Sequence, residues 1–273
     1  MTLRLAGPLL LVGAGKMGGA LLEGWLRQGI DPGTIFIRDP ALPPEVQTLA
    51  ARHQIAASDA PDLPAPPSVI VIAVKPGLVG ALMPDLEPLI GEGSVVLSIA
   101  AGRTLATLSH GLPSGTAVVR AMPNVAASVG RSMTVACANA AVTRDQALEC
   151  TMLLEAIGEV VWIDDESLLD AITAVSGSGP AYVFLLAECL AEAGRAAGID
   201  AELAGKVARA TVEGAGELLR QSDLSPRELR EKVTSPQGTT EAALQILMGE
   251  DGVQDLLTRA IAAAAKRSSE LSS

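Results

Sequence analysis

The segment LLLVGAGKMGGALLEGWL, which begins at Leu9, constrains the fold of this chain more than any other feature. It runs from an apolar stretch through a glycine turn into a helical stretch, and Gly13, Gly15 and Gly18 form the pattern Gly-x-Gly-x-x-Gly. In a βαβ unit the first glycine permits a tight turn, the second admits a pyrophosphate and the third lets helix and strand pack closely. The N-terminus of the helix then faces the phosphates with unpaired N–H groups. The segment therefore predicts a dinucleotide-binding domain of the Rossmann type.

The rest of the first half alternates between strand-like and helix-like runs. The strand-like runs are 8–13, 34–39, 68–74, 94–100, 117–122, 133–138 and 159–164. The helix-like runs between them are 16–28, 43–53, 77–90, 104–110 and 143–157. This alternation predicts a doubly wound sheet with right-handed crossovers. The first strands are continuous and apolar, as a sheet covered on both faces requires.

The second half of the chain has no strand-like run after Asp164. Its helical runs are 166–175, 180–197, 200–221, 225–233, 239–248 and 253–270. We therefore expect two domains: an α/β Rossmann-type domain over residues 1–164 and an all-helical domain over residues 165–273. The helical domain is rich in alanine, glycine and leucine, so its remaining apolar surface predicts a partner subunit.

Composition argues against several classes of partner. The 273 residues are 49% hydrophobic and only 2% aromatic, and the net charge of −11 disfavours nucleic acid and anionic membranes.

The start of the chain shows no signal-peptide pattern. The apolar run from Ala171 to Gly194 is interrupted by SGSGP and Glu188, so we expect no membrane helix. Three cysteines without metal-type spacing predict reduced thiols, no metal and a cytoplasmic location. Only two histidines are present, which disfavours histidine acid–base chemistry.

The ends of three further strands are candidates for cofactor contact. The second strand ends in FIRDP, which places Arg38 and Asp39 where the adenosine ribose should lie. An acid there accepts from the 2′-hydroxyl of NAD, whereas an arginine pairs with the 2′-phosphate of NADP, so the preference between NADPH and NADH stays open. The third strand ends in AVKPG (73–77) and the fourth in SIAAG (98–102). Both loops open on the same edge of the sheet as the glycine turn.

Two polar turns interrupt the helical half. SGSGPAY (176–182) contains two glycines that allow close backbone approach to a ligand, and Pro180 is typical of the first turn of a helix. TSPQGTT (234–240) contains more hydroxyls than a helix cap needs, and it leads into a predicted helix. The N–H groups at such a helix start favour an anion.

Together with GAGKMG, the segments AVKPG, SIAAG, RAMPN, VSGSGPAYVF and VTSPQGTTEAAL occur in the order found in pyrroline-5-carboxylate reductase, which the chain closely resembles. The resemblance runs from about Leu9 to Arg267. It implies a Rossmann domain followed by a helical domain for substrate binding and dimerisation. It also implies reduction of 1-pyrroline-5-carboxylate to L-proline by NADPH or NADH, the last step of proline biosynthesis. Relatives of this family form homodimers that often assemble into larger homo-oligomers.

Motifs and resemblance together define the expected site residues. We expect cofactor contacts from Gly13, Ala14, Gly15, Lys16, Met17, Gly18, Arg38, Asp39, Ala73, Val74, Lys75, Pro76, Ala100, Ala101, Asn124 and Lys232. We expect substrate contacts from Ser176, Gly179, Pro180, Gly238 and Thr239, and catalytic roles for Thr240, Ser235 and Glu166.

The substrate that the resemblance implies is a cyclic imine with a carboxylate. We assign that carboxylate to Ser235 and to the amides of residues 238–240, and the ring nitrogen to the Thr240 hydroxyl. Glu166 has two interpretations: it holds a bridging water or the imine proton, or it is an acid in the first turn of a helix.

The chain departs from the family pattern at several positions. Val125 and Ala126 stand where Thr-Pro is usual, and Arg38-Asp39 replaces a common Asn-Arg. Lys232 stands where some relatives carry an asparagine that contacts the cofactor. Gln237 replaces a small residue, usually glycine, and if this position has a positive φ the glutamine carries a strain of about 1 kcal/mol.

Two alternatives stay open at this point. A hydroxyacid-dehydrogenase-like reductase of the same architecture needs a catalytic lysine on the central helix of the second domain, where Lys206 lies in a charged, exposed-looking stretch. A catalytically silent dinucleotide-sensing protein would have no need for intact SGSGPAY and TSPQGTT turns.

Overall fold

The structure, a computed structural model, describes residues 5–272 of the chain. These residues form two compact units. The first contains the described residues up to Gly177 and those from Ala265 onward, and the second is Ser178–Ala264.

The first unit extends past the predicted boundary after Asp164. Leu169 is fully buried and packs with Val135 and Cys137 of the sheet, which fastens the start of the helical region to the first unit. The compact units and the predicted domains therefore divide the chain at different places.

The described part of the first unit contains one eight-stranded sheet, in the order β3-β2-β1-β4-β5-β6-β7-β8. The strands are β1 Leu9–Val12, β2 Ile35–Arg38, β3 Ala56–Ser58, β4 Val69–Ile72, β5 Val95–Ser98, β6 Ala117–Met122, β7 Ser132–Ala138 and β8 Gly158–Trp162. Neighbouring strands are parallel except for β6 and β7, which are antiparallel. Seven of these strands match the predicted runs. Strand β3 was not predicted, because it is a three-residue edge strand without an apolar run.

Helices cover both faces of this sheet. The helices of the first unit are α1 Lys16–Arg27, α2 Pro44–His53, α3 Pro76–Leu86, α4 Leu105–Ser109, α5 Arg144–Glu155 and α6 Leu169–Ile172. Along β1, Leu9 and Leu11 belong to the core that includes α1, α2 and α5, whereas Leu10 and Val12 belong to the core that includes α3 and α4. All four side chains are at most 2% exposed. The doubly wound architecture is thus confirmed.

The chain reverses its direction across the sheet at β1. Strands β2 and β3 lie on one side of β1, and β4 and β5 lie on the other. In an open α/β sheet such a reversal leaves a crevice at the carboxyl ends of the strands, where ligands bind. The glycine turn follows β1 directly and therefore lies at this crevice.

The second unit is helical throughout. Its helices are α7 Gly179–Ala196, α8 Ala201–Gln221, α9 Pro226–Lys232 and α10 Thr239–Leu247, and α11 Val253–Ser272 starts there and ends in the first unit. Pro180 lies in the first turn of α7, as predicted. The Asp200 carboxylate caps α8, and Ser225 forms a capping box with Glu228 at the start of α9.

The predicted helix over 166–175 is not a regular α-helix. A 3-10 turn, Glu166–Leu168, precedes α6, and a π-helical turn, Thr173–Gly177, follows it. Ser178 is a bend between the π-helical turn and the start of α7. Glu166–Ala196 is long and apolar enough to cross a membrane by length and composition, since 18 consecutive residues within it have a mean hydropathy of 1.3 and 6% of them are buried. SGSGP therefore interrupts the regular α-helix, as predicted, whereas length and composition alone do not exclude a membrane helix here.

Candidate active site

The glycine turn combines two structural glycines with one that leaves space. Gly13 has φ +88°, which favours glycine, and its amide donates to the carbonyl of Arg38 over 2.9 Å. A Cβ on Gly18 would lie 2.2 Å from the carbonyl oxygen of Gly13, so only glycine allows α1 to pack here. A Cβ on Gly15 would meet no atom within 4 Å. The open space at Gly15 suits a pyrophosphate against the backbone, so these residues fit a dinucleotide.

A first cleft, of about 590 Å³, lies beside the glycine turn at the ends of β1, β2 and β4. Its lining includes the predicted residues Gly13, Gly15, Arg38, Asp39, Ala73, Val74 and Lys75. It also includes Asp59, Leu78, Leu82 and Asp85, which were not predicted. This position relative to the glycine turn suits the adenosine half of a dinucleotide.

Hydrogen bonds hold the Asp39 and Arg38 side chains in place at the first cleft. The Asp39 carboxylate accepts from the amide of Ala14 over 2.7 Å and from the amide of Ala41 over 2.8 Å. Arg38 Nε donates to the carbonyl of Asp59 over 3.0 Å, and its Nη2 pairs with Asp85 Oδ2 over 3.2 Å. Asp39 is therefore fixed to the glycine turn, and Arg38 spans the cleft toward α3.

A second cleft, of about 260 Å³, lies at the ends of β4, β5 and β6. The predicted residues that line it are Met17, Ala73, Val74, Pro76, Ala100, Ala101 and Asn124. Ile99, Met122, Pro123, Val125 and Gly177 complete the lining. Ala73 and Val74 line both clefts, so the two clefts adjoin at the end of β4. A small, largely apolar cleft at this edge suits a flat nicotinamide ring.

Asn124 connects the second cleft with the π-helical turn. Its Nδ2 donates to the Ser176 hydroxyl over 3.1 Å and to the Ser176 carbonyl over 3.3 Å. Its Oδ1 accepts from the amide of Ala126 over 3.1 Å. Two predicted site residues therefore bond directly, and Asn124 holds the π-helical turn so that Gly177 lines the cleft. A π turn inside a helix often marks a functional site.

Glu166 joins three elements of the first unit. Its Oε1 accepts from Arg120 Nη1 over 2.7 Å and from the amide of Leu105, at the start of α4, also over 2.7 Å. The Arg120 side chain is 7% exposed and the Glu166 side chain 28%, so this is a partly buried ion pair. Burial, and secondly the Glu166 carboxylate, raise the pKa of the Cys137 thiol to about 11, so this thiol is neutral near pH 7. These contacts favour the structural interpretation of Glu166 over the catalytic one.

The hydroxyl-rich turn lies at the start of α10 in the second unit. The Gly238 amide donates to the Ser235 carbonyl over 3.0 Å. This bond occupies an amide that we assign, from the sequence, to the substrate carboxylate. Within residues 5–272, no protein group occupies the amides or hydroxyls of Thr239 and Thr240, or the Ser235 hydroxyl. A Cβ on Gly238 would lie 2.4 Å from Ser235 Oγ, so glycine is needed for this close packing.

Gln237, which stands where the family usually has glycine, has a positive φ and therefore a strained backbone. Its φ is +59°, in the left-handed region, and its amide donates to Glu241 Oε2 over 2.6 Å. The glutamine therefore occupies a position that favours glycine.

The remaining predicted residues are not among those that line the two clefts. Lys16 lines a hollow between α1 and α2 that shares Gly15 with the first cleft, and Gly18 is buried where α1 packs against the glycine turn. Gly179, Pro180 and Lys232 belong to the second unit, where Lys232 is exposed in the last turn of α9.

Asp59 and Asp85 were missed because no sequence motif connects them with Arg38. Asp59 follows the edge strand β3, which itself gave no signal, and Asp85 lies on α3. Both residues reach the first cleft through tertiary folding alone.

The glycine turn, the two clefts and the helical second unit together define a dinucleotide-dependent oxidoreductase. The family model described as pyrroline-5-carboxylate reductase dimerisation matches residues 166–271. The model described as NADP oxidoreductase, coenzyme F420-dependent, matches residues 9–102. A pyrroline-5-carboxylate reductase from Pseudomonas aeruginosa is 36% identical over 260 residues, which cover 95% of both chains. One from Pisum sativum is 36% identical over 261 residues, 96% of this chain and 94% of the relative.

Solved structures give the same result. A pyrroline-5-carboxylate reductase from Coxiella burnetii has a TM-score of 0.91 and 32% identity, and the match covers 98% of this chain and 100% of the other. The Plasmodium falciparum pyrroline carboxylate reductase with NADP bound has a TM-score of 0.79 and 26% identity, with coverage of 98% and 99%. The chain belongs to the pyrroline-5-carboxylate reductase family.

The chain is accordingly an NAD(P)H-dependent oxidoreductase that reduces 1-pyrroline-5-carboxylate to L-proline, and its helical region is a dimerisation domain. The predicted fold class, reaction and cofactor class are confirmed. The alternatives of a silent sensor or a hydroxyacid-dehydrogenase-like reductase are not favoured by these relatives.

Proposed function

We propose that the turn at the start of α10 binds the substrate and that the two clefts of the first unit hold NAD(P)H. The observation that carries this proposal is the set of unoccupied donors at the turn. The Thr239 and Thr240 amides and the hydroxyls of Ser235 and Thr240 have no protein partner within residues 5–272. The helix dipole and these amides favour a carboxylate. We assign the substrate carboxylate to Ser235 and the two threonine amides.

Thr240 is assigned to the ring nitrogen. NAD(P)H, when bound, supplies the hydride for the carbon of the protonated C=N bond. The nitrogen thereby loses its positive charge and becomes the neutral amine of proline. The Thr240 hydroxyl can accept from the N–H of the protonated imine, so its bond to the nitrogen changes as the reaction proceeds. The chain has to orient a substrate that is already electrophilic, which is consistent with the absence of histidine from the clefts and turn described above.

In the first unit, Gly15 is assigned to the pyrophosphate, and Ala100, Ala101 and Asn124 to the nicotinamide. Ser176, Gly179 and Pro180 form the second polar segment that we assign to the substrate or the nicotinamide. Lys75 lines the first cleft and supplies a positive charge near the phosphates. We assign Glu166 to holding α4 and β6 in place rather than to proton transfer.

The experiment compares Thr240→Ala with Ser235→Ala. Thr240→Ala should lower kcat by about 100-fold, on the scale of a lost transition-state hydrogen bond, with little change in cofactor affinity. Ser235→Ala should mainly raise KM, because the carboxylate keeps its charge throughout the reaction. Both constants are measured with 1-pyrroline-5-carboxylate at saturating cofactor.

Thr234→Ala is the matched control, because the Thr234 hydroxyl already donates to the carbonyl of Arg230 over 2.7 Å. It removes a hydroxyl from the same turn and should leave kcat and KM nearly unchanged. If Thr240→Ala shifts only KM, or if all three variants behave alike, the turn is a helix cap and the assignment is wrong.

We further propose that the dimers assemble into a larger homo-oligomer and that the protein is cytoplasmic, without nucleic-acid or membrane partners. The net charge of −11 supports the latter, and the exposed apolar helices of the second unit support the former. We also propose residues 1–164 and 165–273 as the cofactor and dimerisation modules. The family match that begins at residue 166 supports this division.

A further inference from the structure

The adenosine side of the first cleft carries more negative than positive charge near Arg38. The cleft also contains the cation Lys75, which we assign to the phosphates, whereas Asp39, Asp59 and Asp85 line it together with Arg38. NADH and NADPH differ at this end of the molecule by the 2′-phosphate alone, which adds a charge between about −1.5 and −2 near pH 7. The arrangement of these four side chains therefore bears on which cofactor the chain prefers.

Asp39 is held in place as an acceptor. Each carboxylate oxygen takes one backbone amide, from Ala14 at 2.7 Å and from Ala41 at 2.8 Å. Each oxygen has a second lone pair, so the carboxylate can still accept from a ribose hydroxyl. It cannot turn away from a phosphate without giving up the bond that positions the glycine turn.

Arg38 is the residue that could pair with a 2′-phosphate, but other groups already engage it. Its Nη2 forms an ion pair with Asp85 at 3.2 Å, and its Nε donates to the carbonyl of Asp59 at 3.0 Å. The Arg38 side chain is 22% exposed and the Asp85 side chain 62%, so solvent screens their ion pair and its contribution is modest. A phosphate would have to compete with Asp85 for the guanidinium while facing the Asp39 carboxylate.

We propose that Asp39 makes this enzyme select NADH over NADPH, and that Asp85 reinforces the selection by holding Arg38. The inference rests on the NAD(P)H-dependent function and names the preferred form. Asp39 accepts from the 2′-hydroxyl of NADH and repels the 2′-phosphate of NADPH. Arg38, tied to Asp85, forms a wall of the cleft instead of a phosphate site.

The test measures the dissociation constants of NADH and NADPH by calorimetry with the complete protein and no substrate. The unsubstituted protein should bind NADH about tenfold or more tightly than NADPH. Asp39→Asn removes the charge but keeps an acceptor, and it should narrow this ratio by about tenfold. Asp85→Asn releases Arg38 and should tighten NADPH binding several-fold while NADH binding stays constant.

Glu87→Gln is the matched control. Glu87 is exposed, lies two residues from Asp85 and does not line the first cleft. Glu87→Gln therefore removes the same charge as Asp85→Asn, but outside the cleft. This variant should leave the ratio of the NADPH and NADH dissociation constants unchanged.

Tighter binding of NADPH than of NADH by the unsubstituted protein overturns the proposal, and so does an equal shift in Asp85→Asn and Glu87→Gln. Asp85→Asn also carries the test if Asp39→Asn does not fold. The expected binding ratio without any reduction of 1-pyrroline-5-carboxylate would support the cofactor selection and count against the substrate assignments instead.

Discussion

At the scale of single residues, the three glycines of the dinucleotide turn have separable roles. Gly15→Val should abolish binding of NAD(P)H and leave the fold intact, because the new side chain enters space that no protein atom occupies within 4 Å of its Cβ. Calorimetry with the cofactor and thermal unfolding of the free protein measure the two effects.

Gly18→Val is the comparison, since its Cβ would lie 2.2 Å from the Gly13 carbonyl oxygen. It should destabilise the protein itself. Unchanged cofactor affinity in Gly15→Val would contradict the assignment of this turn to the pyrophosphate.

Gln237 allows a second test at this scale. Gln237→Gly should stabilise the protein by up to about 1 kcal/mol, because glycine relieves the strain of φ +59°. The gain is reduced because glycine loses more conformational entropy on folding than glutamine does. The free energy of unfolding is measured by chemical denaturation.

Gln237→Ala serves as the control, because it removes the same side chain without relieving the backbone. Equal stability of the glycine and alanine variants would show that the backbone at this position stores no strain.

The residues that line the two clefts could be predicted where a motif fixes the local geometry. The glycine turn, AVKPG and SIAAG supplied most of the predicted lining of both clefts, because each follows a buried parallel strand and the ends of such strands meet at one edge. The bonds of Arg38 to Asp59 and Asp85 could not be predicted in this way, since they join residues separated by 21 and 47 positions with no shared motif.

At the scale of elements, the partly buried ion pair between Glu166 and Arg120 connects β6 with the start of the helical region, and Glu166 also bonds to α4. Glu166→Ala leaves the Arg120 charge, 7% exposed, without its partner and should destabilise the protein by about 3 kcal/mol. Glu166→Gln keeps an acceptor for Arg120 and for the Leu105 amide, so it should cost much less.

The measurement is chemical denaturation together with kcat at a temperature where both variants stay folded. A Glu166→Gln variant of normal stability with kcat lowered by 100-fold or more would restore the catalytic interpretation of Glu166.

Most elements could be predicted from the period of their apolar residues, because the buried strands and the capped helices follow local rules. Strand β3 could not, since three residues at a sheet edge bury too little apolar surface to leave a pattern. The π-helical turn at Thr173–Gly177 could not either, because it depends on the bonds between Asn124 and Ser176, which are 52 positions apart.

At the scale of the whole molecule, a single copy of the chain does not explain the exposure of the apolar residues of α7. It is apolar, yet none of its residues is buried. Four consecutive residues, Val183, Phe184, Leu185 and Leu186, are between 46% and 62% exposed, and consecutive residues point to all sides of a helix. A helical segment that is apolar on all sides, like these four residues, is typically covered by a membrane or by another protein surface. Membership in a family with a dimerisation domain over residues 166–271 identifies that cover as a second copy of the chain.

The purified protein should therefore have a mass in light scattering of at least twice 27.8 kDa at micromolar concentration. Phe184→Glu places a charge in the exposed apolar run and should shift the mass toward that of one chain, because an unpaired charge buried at an interface costs several kcal/mol. Gln47→Glu adds the same charge at an exposed position of α2 in the first unit and should leave the mass unchanged. A single-chain mass for the unsubstituted protein would contradict assembly through α7. If Phe184→Glu keeps a mass of two or more chains, the interface is formed by other exposed residues of the second unit, such as those of α8.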